Sequence, residues 1–285
     1  MIESLTFFGG GNMASALMGG MQKAKRSPET LRLVDPDARV RQIWSDRYGA
    51  ACFPNPEEAA CRSEYWVLAV KPQQMRDLCL SIAAQEICLH PEDPRSEQPG
   101  SHGVISVAAG VRIASLAQWL GASHRYIRCM PNTPALIGRG VTALYADQPL
   151  DDRDKTIAQS IMDCVGKSLW VLEEVAMDAV TAVSGSGPAY VFRMMEAMQD
   201  AAQDLGLSAA DARLLVIETL RGASELAEQS ALPPAQLREQ VTSKGGTTAA
   251  ALAVFEAEDF SGLIKRALSR AAARSAELAR HDEAK

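Results

Sequence analysis

The chain lacks the usual signs of a metal site, a disulfide framework and a membrane span. Its 4 histidines are scattered, and its 6 cysteines include no CxxC pair. We therefore expect free thiols in a cytoplasmic protein and no metal site. No apolar run approaches the roughly 20 residues that cross a bilayer, and the N-terminus lacks the basic start of a signal peptide.

Positive charge is also scarce. The 29 Lys and Arg residues are outnumbered by 35 Asp and Glu residues, which gives a net charge of -6. An acidic chain has no basic surface for nucleic acid or for an anionic membrane, so we expect a small-molecule substrate instead. With 47% hydrophobic residues the composition is that of a folded protein, and 285 residues favour two domains.

Short apolar runs alternate with helical segments up to residue 171, which predicts an α/β fold with a mostly parallel sheet. After residue 173 only helical spacing remains, so we predict an α/β domain over residues 1–168 and an all-helical domain over 169–285. A surface excursion is predicted for residues 85–103. The predicted strands are 5–8, 31–34, 65–70, 104–107, 126–130, 141–145 and a short 169–171, and the predicted helices include 12–23, 37–48, 72–84 and 111–120.

The helical second half is short for a domain with small side chains on several faces, so it can bury only part of its apolar surface alone. Residues 188–205 place apolar side chains around almost the whole helix circumference, which requires neighbours on all sides. Either a second copy of the chain or the first domain could supply these neighbours. We favour a homodimer formed through the C-terminal helices.

A glycine-rich turn joins the first predicted strand to the first helix. Gly9, Gly11 and Ala14 match the pattern G-x-G-x-x-G/A. The first glycine permits a tight turn, the second lets the backbone approach a pyrophosphate, and Ala14 allows close helix packing. The helix N-terminus adds N–H groups that face phosphates. We predict a Rossmann-type dinucleotide-binding domain, although a tight turn without a ligand is the simpler interpretation.

The choice of dinucleotide should depend on the end of the second strand. Asp35 stands there and favours a free ribose 2′-hydroxyl, as in NAD. Arg39 and Arg41 follow closely, and either could pair with the 2′-phosphate of NADP. The residues themselves therefore leave NADPH and NADH open. Lys71, after a later strand, could face the cofactor phosphates or could simply be solvated.

Three further runs have compositions that core packing does not explain: residues 128–134, 184–188 and 242–248. In the third, glycines flanked by hydroxyl residues precede a helix, which suits an anion such as a carboxylate. A helix start capped by Thr247 or Thr248 is the simpler interpretation, but it leaves the glycine pair unexplained. No histidine with a carboxylate partner stands out as a general base.

In their order along the chain, these runs resemble those of pyrroline-5-carboxylate reductases. The resemblance rests on residues 8–14, 69–72, 130–134, 184–190 and 242–248 and spans nearly the whole chain. It implies an oxidoreductase that uses NADPH or NADH to reduce (S)-1-pyrroline-5-carboxylate to L-proline, the last step of proline biosynthesis. It also implies a helical dimerisation domain and, in many members, a ring of five dimers.

The same resemblance implies roles for individual residues. Thr248 would be the catalytic residue that hydrogen-bonds the ring nitrogen, and the substrate carboxylate would bind Ser243, Lys244, Gly245, Gly246 and Thr247. Lys244 and Asp35 depart from the residues common in the family. The cofactor would contact Gly9, Gly10, Gly11, Asn12, Met13, Ala14, Asn55, Ala69, Val70, Lys71, Pro72, Ala108, Ala109 and Gly110, to which the fold pattern adds Asp35.

Two alternatives stay open at this point. One is another two-domain NAD(P)-dependent dehydrogenase of the β-hydroxyacid type, whose helical domain carries a catalytic lysine; Lys244 is the candidate, but its glycine neighbours suit an anion better. The other is a dinucleotide sensor without turnover.

The reductase interpretation also agrees with the absence of an evident general base. A protonated imine is already electrophilic, so positioning of the substrate against the cofactor supplies most of the catalysis.

Overall fold

The computed structural model describes residues 2–56, 62–86, 102–147 and 149–283. By their packing, the residues divide into two compact units, Met1–Ser186 with Ala271–Lys285, and Gly187–Arg270. No helix among the described residues combines the length and hydropathy that crossing a bilayer requires. The predicted excursion at 85–103 falls mostly on residues 87–101, which lie outside the described residues.

The described part of the first unit contains one sheet of eight strands. They are β1 (Ser4–Phe8), β2 (Thr30–Val34), β3 (Ala51–Phe53), β4 (Tyr65–Leu68), β5 (Gly103–Ser106), β6 (Arg125–Met130), β7 (Gly140–Tyr145) and β8 (Gly166–Trp170). The spatial order is β3-β2-β1-β4-β5-β6-β7-β8. Pairing is parallel from β3 to β6, antiparallel between β6 and β7, and parallel again between β7 and β8. The order reverses at β1 and β4, and ligands of such sheets bind beyond the carboxyl ends of the strands there.

Helices cover both faces of this sheet. They are α1 (Asn12–Lys23), α2 (Ala38–Tyr48), α3 (Pro72–Glu86), α4 (Ile113–Leu120), α5 (Asp152–Asp163) and α6 (Ala176–Val180), with a 3-10 turn at Thr133–Ile137 and a π turn at Thr181–Gly185. Alternate side chains of β1 enter different cores, because Phe7 packs with Trp44 and Phe8 packs with Trp66. Burial on both faces explains why the central strands are nearly continuous apolar runs.

The second unit consists of helices. They are α7 (Gly187–Asp204), α8 (Ala209–Gln229), α9 (Pro234–Gln240), α10 (Thr247–Ala257) and the first half of α11 (Phe260–Glu283). Only two apolar side chains of this unit are buried in the described chain, Ala212 and Val216. More than half of the side-chain surface is exposed at Phe192, Leu214, Leu215, Val254, Phe255 and Leu263. The isolated chain therefore leaves much of the apolar surface of this unit uncovered.

The predicted fold class is confirmed, and the strands and helices named from the sequence are present with small shifts in their bounds. The three-residue strand β3 was missed because so short a run shows no periodicity. Helix α4 begins at Ile113 rather than Val111, after Gly110 with a φ of 80°. The predicted domain boundary after residue 168 stays a prediction. Residues 169–186 and 271–285 pack with the first unit, but packing alone does not decide to which domain a segment belongs.

A buried polar cluster ties together the amino ends of β4 and β6. Tyr65 donates a hydrogen bond of 2.5 Å to Asp154 Oδ1, and Arg125 Nε donates one of 2.6 Å to Asp154 Oδ2. Burial, followed by the bond to Asp154, raises the pKa of the Tyr65 hydroxyl, so it remains a protonated donor. The cluster lies at the edge of the sheet opposite to the carboxyl ends of these strands.

We predict that Asp154→Ala lowers the free energy of unfolding by about 2 kcal/mol, because it removes the acceptor of the buried Tyr65 hydroxyl and the charge that pairs with the partly exposed Arg125. Tyr65→Phe should cost only about 1 kcal/mol, since it removes one hydrogen bond and keeps the packing. Urea denaturation followed by circular dichroism measures both values. Equal, negligible losses in the two variants would contradict this account of the cluster.

Candidate active site

The three glycines after β1 have different steric surroundings. Gly9 has a φ of 94°, and a Cβ at this position would lie 2.9 Å from the carbonyl oxygen of Ala69. A Cβ at Gly10 would lie 2.5 Å from Val40 Cγ1. At Gly11, by contrast, a Cβ would meet no atom of the described chain within 4 Å. Packing therefore requires the first two glycines, whereas Gly11 borders open space that a bound group can occupy.

Helix α1 begins directly at this open space. Gly11 is its N-cap residue, and within the described chain no side chain accepts a hydrogen bond at the cap. Ala14 is fully buried against the sheet, so the first turn of the helix lies close to β1. An uncapped helix start with a glycine at its tip suits a pyrophosphate, because N–H groups and the helix dipole both favour negative charge.

A carboxylate and a guanidinium lie together beside the glycine turn. Asp35 Oδ2 accepts a 2.8 Å hydrogen bond from the Gly10 N–H, and Asp35 Oδ1 accepts one of 2.9 Å from the Asp37 N–H. Arg41 Nη1 donates to the carbonyl oxygens of Asp35 and Pro36 at 2.7 and 2.8 Å. Asp35 is thus held in place to accept from a ribose hydroxyl, and Arg41 stands close enough to offer positive charge to a phosphate.

The other sequence-predicted cofactor residues follow strands that end at this same edge. Ala69–Pro72 follow β4, and the Ala69 N–H donates to the Phe8 carbonyl at 2.8 Å. Ala108–Gly110 follow β5, and Asn55 follows β3 on the side of Asp35, whose N–H donates to the Phe53 carbonyl at 3.0 Å. The fold therefore brings the residues predicted for the cofactor to one edge of the sheet, where such folds form their binding crevice.

One residue beside this crevice was missed by the sequence analysis. Glu174 Oε1 accepts hydrogen bonds from Arg128 Nη1 at 2.9 Å and from the Ile113 N–H at 3.0 Å. The Arg128 side chain is only 3% exposed, so this ion pair is largely desolvated. It fixes the start of α4, which begins at Ile113, shortly after the Ala108–Gly110 turn. No local pattern marks Glu174, which pairs with residues far away in the sequence.

The loop predicted to hold the substrate carboxylate lies in the second unit. Gly245 has a φ of 74°, and the Gly246 N–H donates to the Ser243 carbonyl at 3.1 Å. Helix α10 begins at Thr247 with Gly246 as its N-cap residue and no side-chain cap among the described residues. Thr248 is half-buried and Lys244 is exposed. A threonine cap, the simpler interpretation of this run, is therefore wrong, because a glycine occupies the cap position.

Comparison with known proteins agrees with this arrangement. Residues 4–88 match the family model described as NADP oxidoreductase, coenzyme F420-dependent, and residues 174–278 match the model described as pyrroline-5-carboxylate reductase dimerisation. The pyrroline-5-carboxylate reductase of Pseudomonas aeruginosa is 41% identical over 96% of this chain and 96% of its own. That of Haemophilus influenzae is 38% identical over 96% and 97%. The chain belongs to the pyrroline-5-carboxylate reductase family.

Solved structures of the family share the fold over nearly the whole chain. The pyrroline-5-carboxylate reductase of Coxiella burnetii superposes with a TM-score of 0.87 at 34% identity, covering 98% of this chain and 99% of that one. The Plasmodium falciparum enzyme, solved with NADP bound, gives 0.81 at 28% identity and covers 98% of both chains. Membership of this family decides against the β-hydroxyacid dehydrogenase alternative.

We predict that Gly11→Ala weakens NADPH binding by about tenfold or more with only a small fall in the melting temperature, because the added methyl group enters open space that the pyrophosphate needs, while alanine is a weaker N-cap than glycine. Gly9→Ala is the contrasting variant, since its methyl group collides with the Ala69 backbone and should lower the melting temperature. Fluorescence titration with NADPH and thermal denaturation measure the two effects. Wild-type NADPH affinity in Gly11→Ala would contradict the assignment.

Proposed function

We propose that the crevice at the carboxyl edge of the sheet holds the dinucleotide and that residues 243–248 hold the substrate. As a pyrroline-5-carboxylate reductase, the chain catalyses the NADP-dependent reduction of (S)-1-pyrroline-5-carboxylate to L-proline, the last step of proline biosynthesis. The start of α10 carries the proposal for the substrate: an uncapped helix N-terminus preceded by a glycine in the left-handed region suits a carboxylate.

For the cofactor we propose contacts from the glycine turn and from the loops after β3, β4 and β5. When bound, the reduced nicotinamide supplies a hydride. The Asp35 carboxylate would accept a hydrogen bond from the adenine ribose, and Arg41, which already lies beside it, would offer charge to a 2′-phosphate. This pairing supports the use of NADH alongside NADPH. The proposed contacts are Gly9, Gly10, Gly11, Asn12, Met13, Ala14, Asp35, Asn55, Ala69, Val70, Lys71, Pro72, Ala108, Ala109 and Gly110.

On the substrate side, the N–H groups and hydroxyls of Ser243–Thr247 would bind the carboxylate, and the exposed Lys244 would add positive charge beside it. The Thr248 hydroxyl would hydrogen-bond the ring nitrogen. Since the imine is protonated, its carbon is electrophilic without help from a strong acid. The protein then needs chiefly to hold this carbon in line with the cofactor and to keep the nitrogen hydrogen-bonded as its charge changes.

The helical second half of the chain matches the dimerisation domain of the family. We propose that the chain forms a homodimer through these helices, and that the dimers assemble further into a ring of five. The exposed apolar side chains of α7, α8, α10 and α11 support the dimer, because a second copy would remove them from water. We propose that the boundary between the dinucleotide-binding and dimerisation domains lies after residue 168. We also propose a cytoplasmic location, which suits the free thiols of the described cysteines.

A spectrophotometric assay tests the proposed reaction. The purified chain should oxidise NADPH only when pyrroline-5-carboxylate is present, with one proline formed for each NADPH consumed. Dinucleotide binding without turnover would instead identify a sensor. Running the assay with NADH as well measures the cofactor preference.

We predict that Thr248→Val lowers kcat by about 10²-fold, the cost of removing one hydrogen-bonding group from a site of changing charge. Valine has nearly the same shape as threonine, so packing is preserved. Thr248→Ser keeps the hydroxyl and serves as the control, with activity close to that of the wild type. Unchanged kcat and KM in Thr248→Val would remove Thr248 from the proposed site.

We predict that Phe192→Glu converts the dimer to a monomer, because a charge replaces an apolar side chain that is 60% exposed in the isolated chain. Sedimentation velocity measures the change. Gln22→Glu, an exposed position on α1, is the matched control and should leave the dimer intact. A monomeric wild-type chain at micromolar concentration would contradict the proposed assembly.

A further inference from the structure

Two of the three unusual runs of the sequence, residues 128–134 and 184–188, contact each other through Asn132 and Ser184 in the first unit. Asn132 Nδ2 lies 3.3 Å from both the carbonyl oxygen and the hydroxyl oxygen of Ser184. One residue further along, Gly185 packs against Met130: a Cβ at Gly185 would lie 2.3 Å from Met130 Cε. The contact thus joins the end of β6 to the π turn at two places, and at the second place the Met130 methyl group fills the space beside Gly185.

The orientation of the Asn132 amide follows from its other contact. The Val141 N–H donates a 3.0 Å hydrogen bond to Asn132 Oδ1. An N–H group can only donate, so the oxygen must face Val141 and the nitrogen must face Ser184. Asn132 is 9% exposed. Both the oxygen and the nitrogen of this buried amide are therefore hydrogen-bonded, and only a side chain with an acceptor and a donor can make both contacts.

The segment that Asn132 holds has an unusual backbone. Residues Thr181–Gly185 form a π turn, which the Ser186 N–H closes with a 2.8 Å hydrogen bond to the Thr181 carbonyl. Such wide turns occur frequently at functional sites. The Ser184 hydroxyl accepts a hydrogen bond from Asn132, so its own proton points away from Asn132 and can be donated elsewhere.

The position of this contact along the sheet links it to the reaction. Asp35 follows β2 on one side of β1, which places the adenine ribose there in the proposed binding mode. The other half of a dinucleotide then extends across the ends of β4 and β5 towards β6. Asn132 lies two residues after the end of β6, at the same edge as the Ala108–Gly110 turn. The contact between Asn132 and Ser184 therefore stands at the end of the crevice where the nicotinamide would lie.

We propose that Asn132 is a positioning residue for the reduction, which holds the Ser184 turn at the nicotinamide end of the crevice. The turn then lies beside the nicotinamide, and Asn132 sets the geometry of hydride transfer through Ser184. This inference rests on the proposed function.

The test is Asn132→Asp, which keeps an oxygen for the Val141 N–H and replaces the donor that faces Ser184 by an acceptor. The expected result is a fall in kcat of about tenfold or more, with the Kd for NADPH changed by less than about threefold. The kinetic isotope effect with deuterated NADPH should increase, because hydride transfer becomes slower relative to the other steps. A merely structural role would not move this last quantity.

Three further variants separate positioning from stability. Tyr65→Phe removes a buried hydrogen bond at the opposite edge of the sheet and should leave kcat and the isotope effect unchanged. Ser184→Ala should lower kcat, and the double variant with Asn132→Asp should be no slower than the slower single variant, because both act through one contact. If Asn132→Asp fails to fold, Ser184→Ala alone decides.

The proposal is overturned if Asn132→Asp keeps the wild-type kcat and isotope effect, if Ser184→Ala is fully active, or if the two substitutions reduce kcat independently. A wild-type chain that binds NADPH but does not reduce pyrroline-5-carboxylate would refute the proposed function itself. The two failures are therefore distinguishable in the same set of measurements.

Discussion

The close approach of two backbone segments, at Gly9 and Ala69, is the constraint on which the proposed dinucleotide crevice depends. Their strands, β1 and β4, are neighbours although they are not consecutive, so the helices that follow them start at the same edge of the sheet. At the glycine turn and the start of α1, that edge offers backbone N–H groups to an anion. A chain with a net charge of -6 can therefore offer a site to an anionic cofactor, because the groups that attract the anion do not appear in a count of charges.

Strand β6 organises the other end of the crevice through two buried side chains. Arg128 binds Glu174, which also accepts from the first N–H of α4, and Asn132 connects β7 to the π turn. Each side chain is held by partners on other elements, so the loops at this end are fixed by side-chain hydrogen bonds. At the glycine turn, by contrast, the loop is fixed largely by backbone contacts and steric fit.

The sequence was most informative where the chemistry is local. The glycine pattern of residues 9–14 and the periodicity of strands and helices predicted the fold, because each depends on neighbours within a few residues. The threonine cap was a wrong alternative at α10, since a cap position cannot be assigned to within one residue from composition. Glu174 lies 46 residues from Arg128, and Ser184 lies 52 residues from Asn132, so only the folded chain shows these two contacts. Single-sequence reasoning has no access to such pairs.

The most direct test of the account is a crystal structure of the assembled protein with NADP and L-proline. We predict that the pyrophosphate lies at Gly11 and the N-terminus of α1, with the proline carboxylate on the 243–247 loop and the ring nitrogen within hydrogen-bond distance of the Thr248 hydroxyl. Proline bound away from this loop, or a dinucleotide whose phosphates lie elsewhere than the start of α1, would contradict the account.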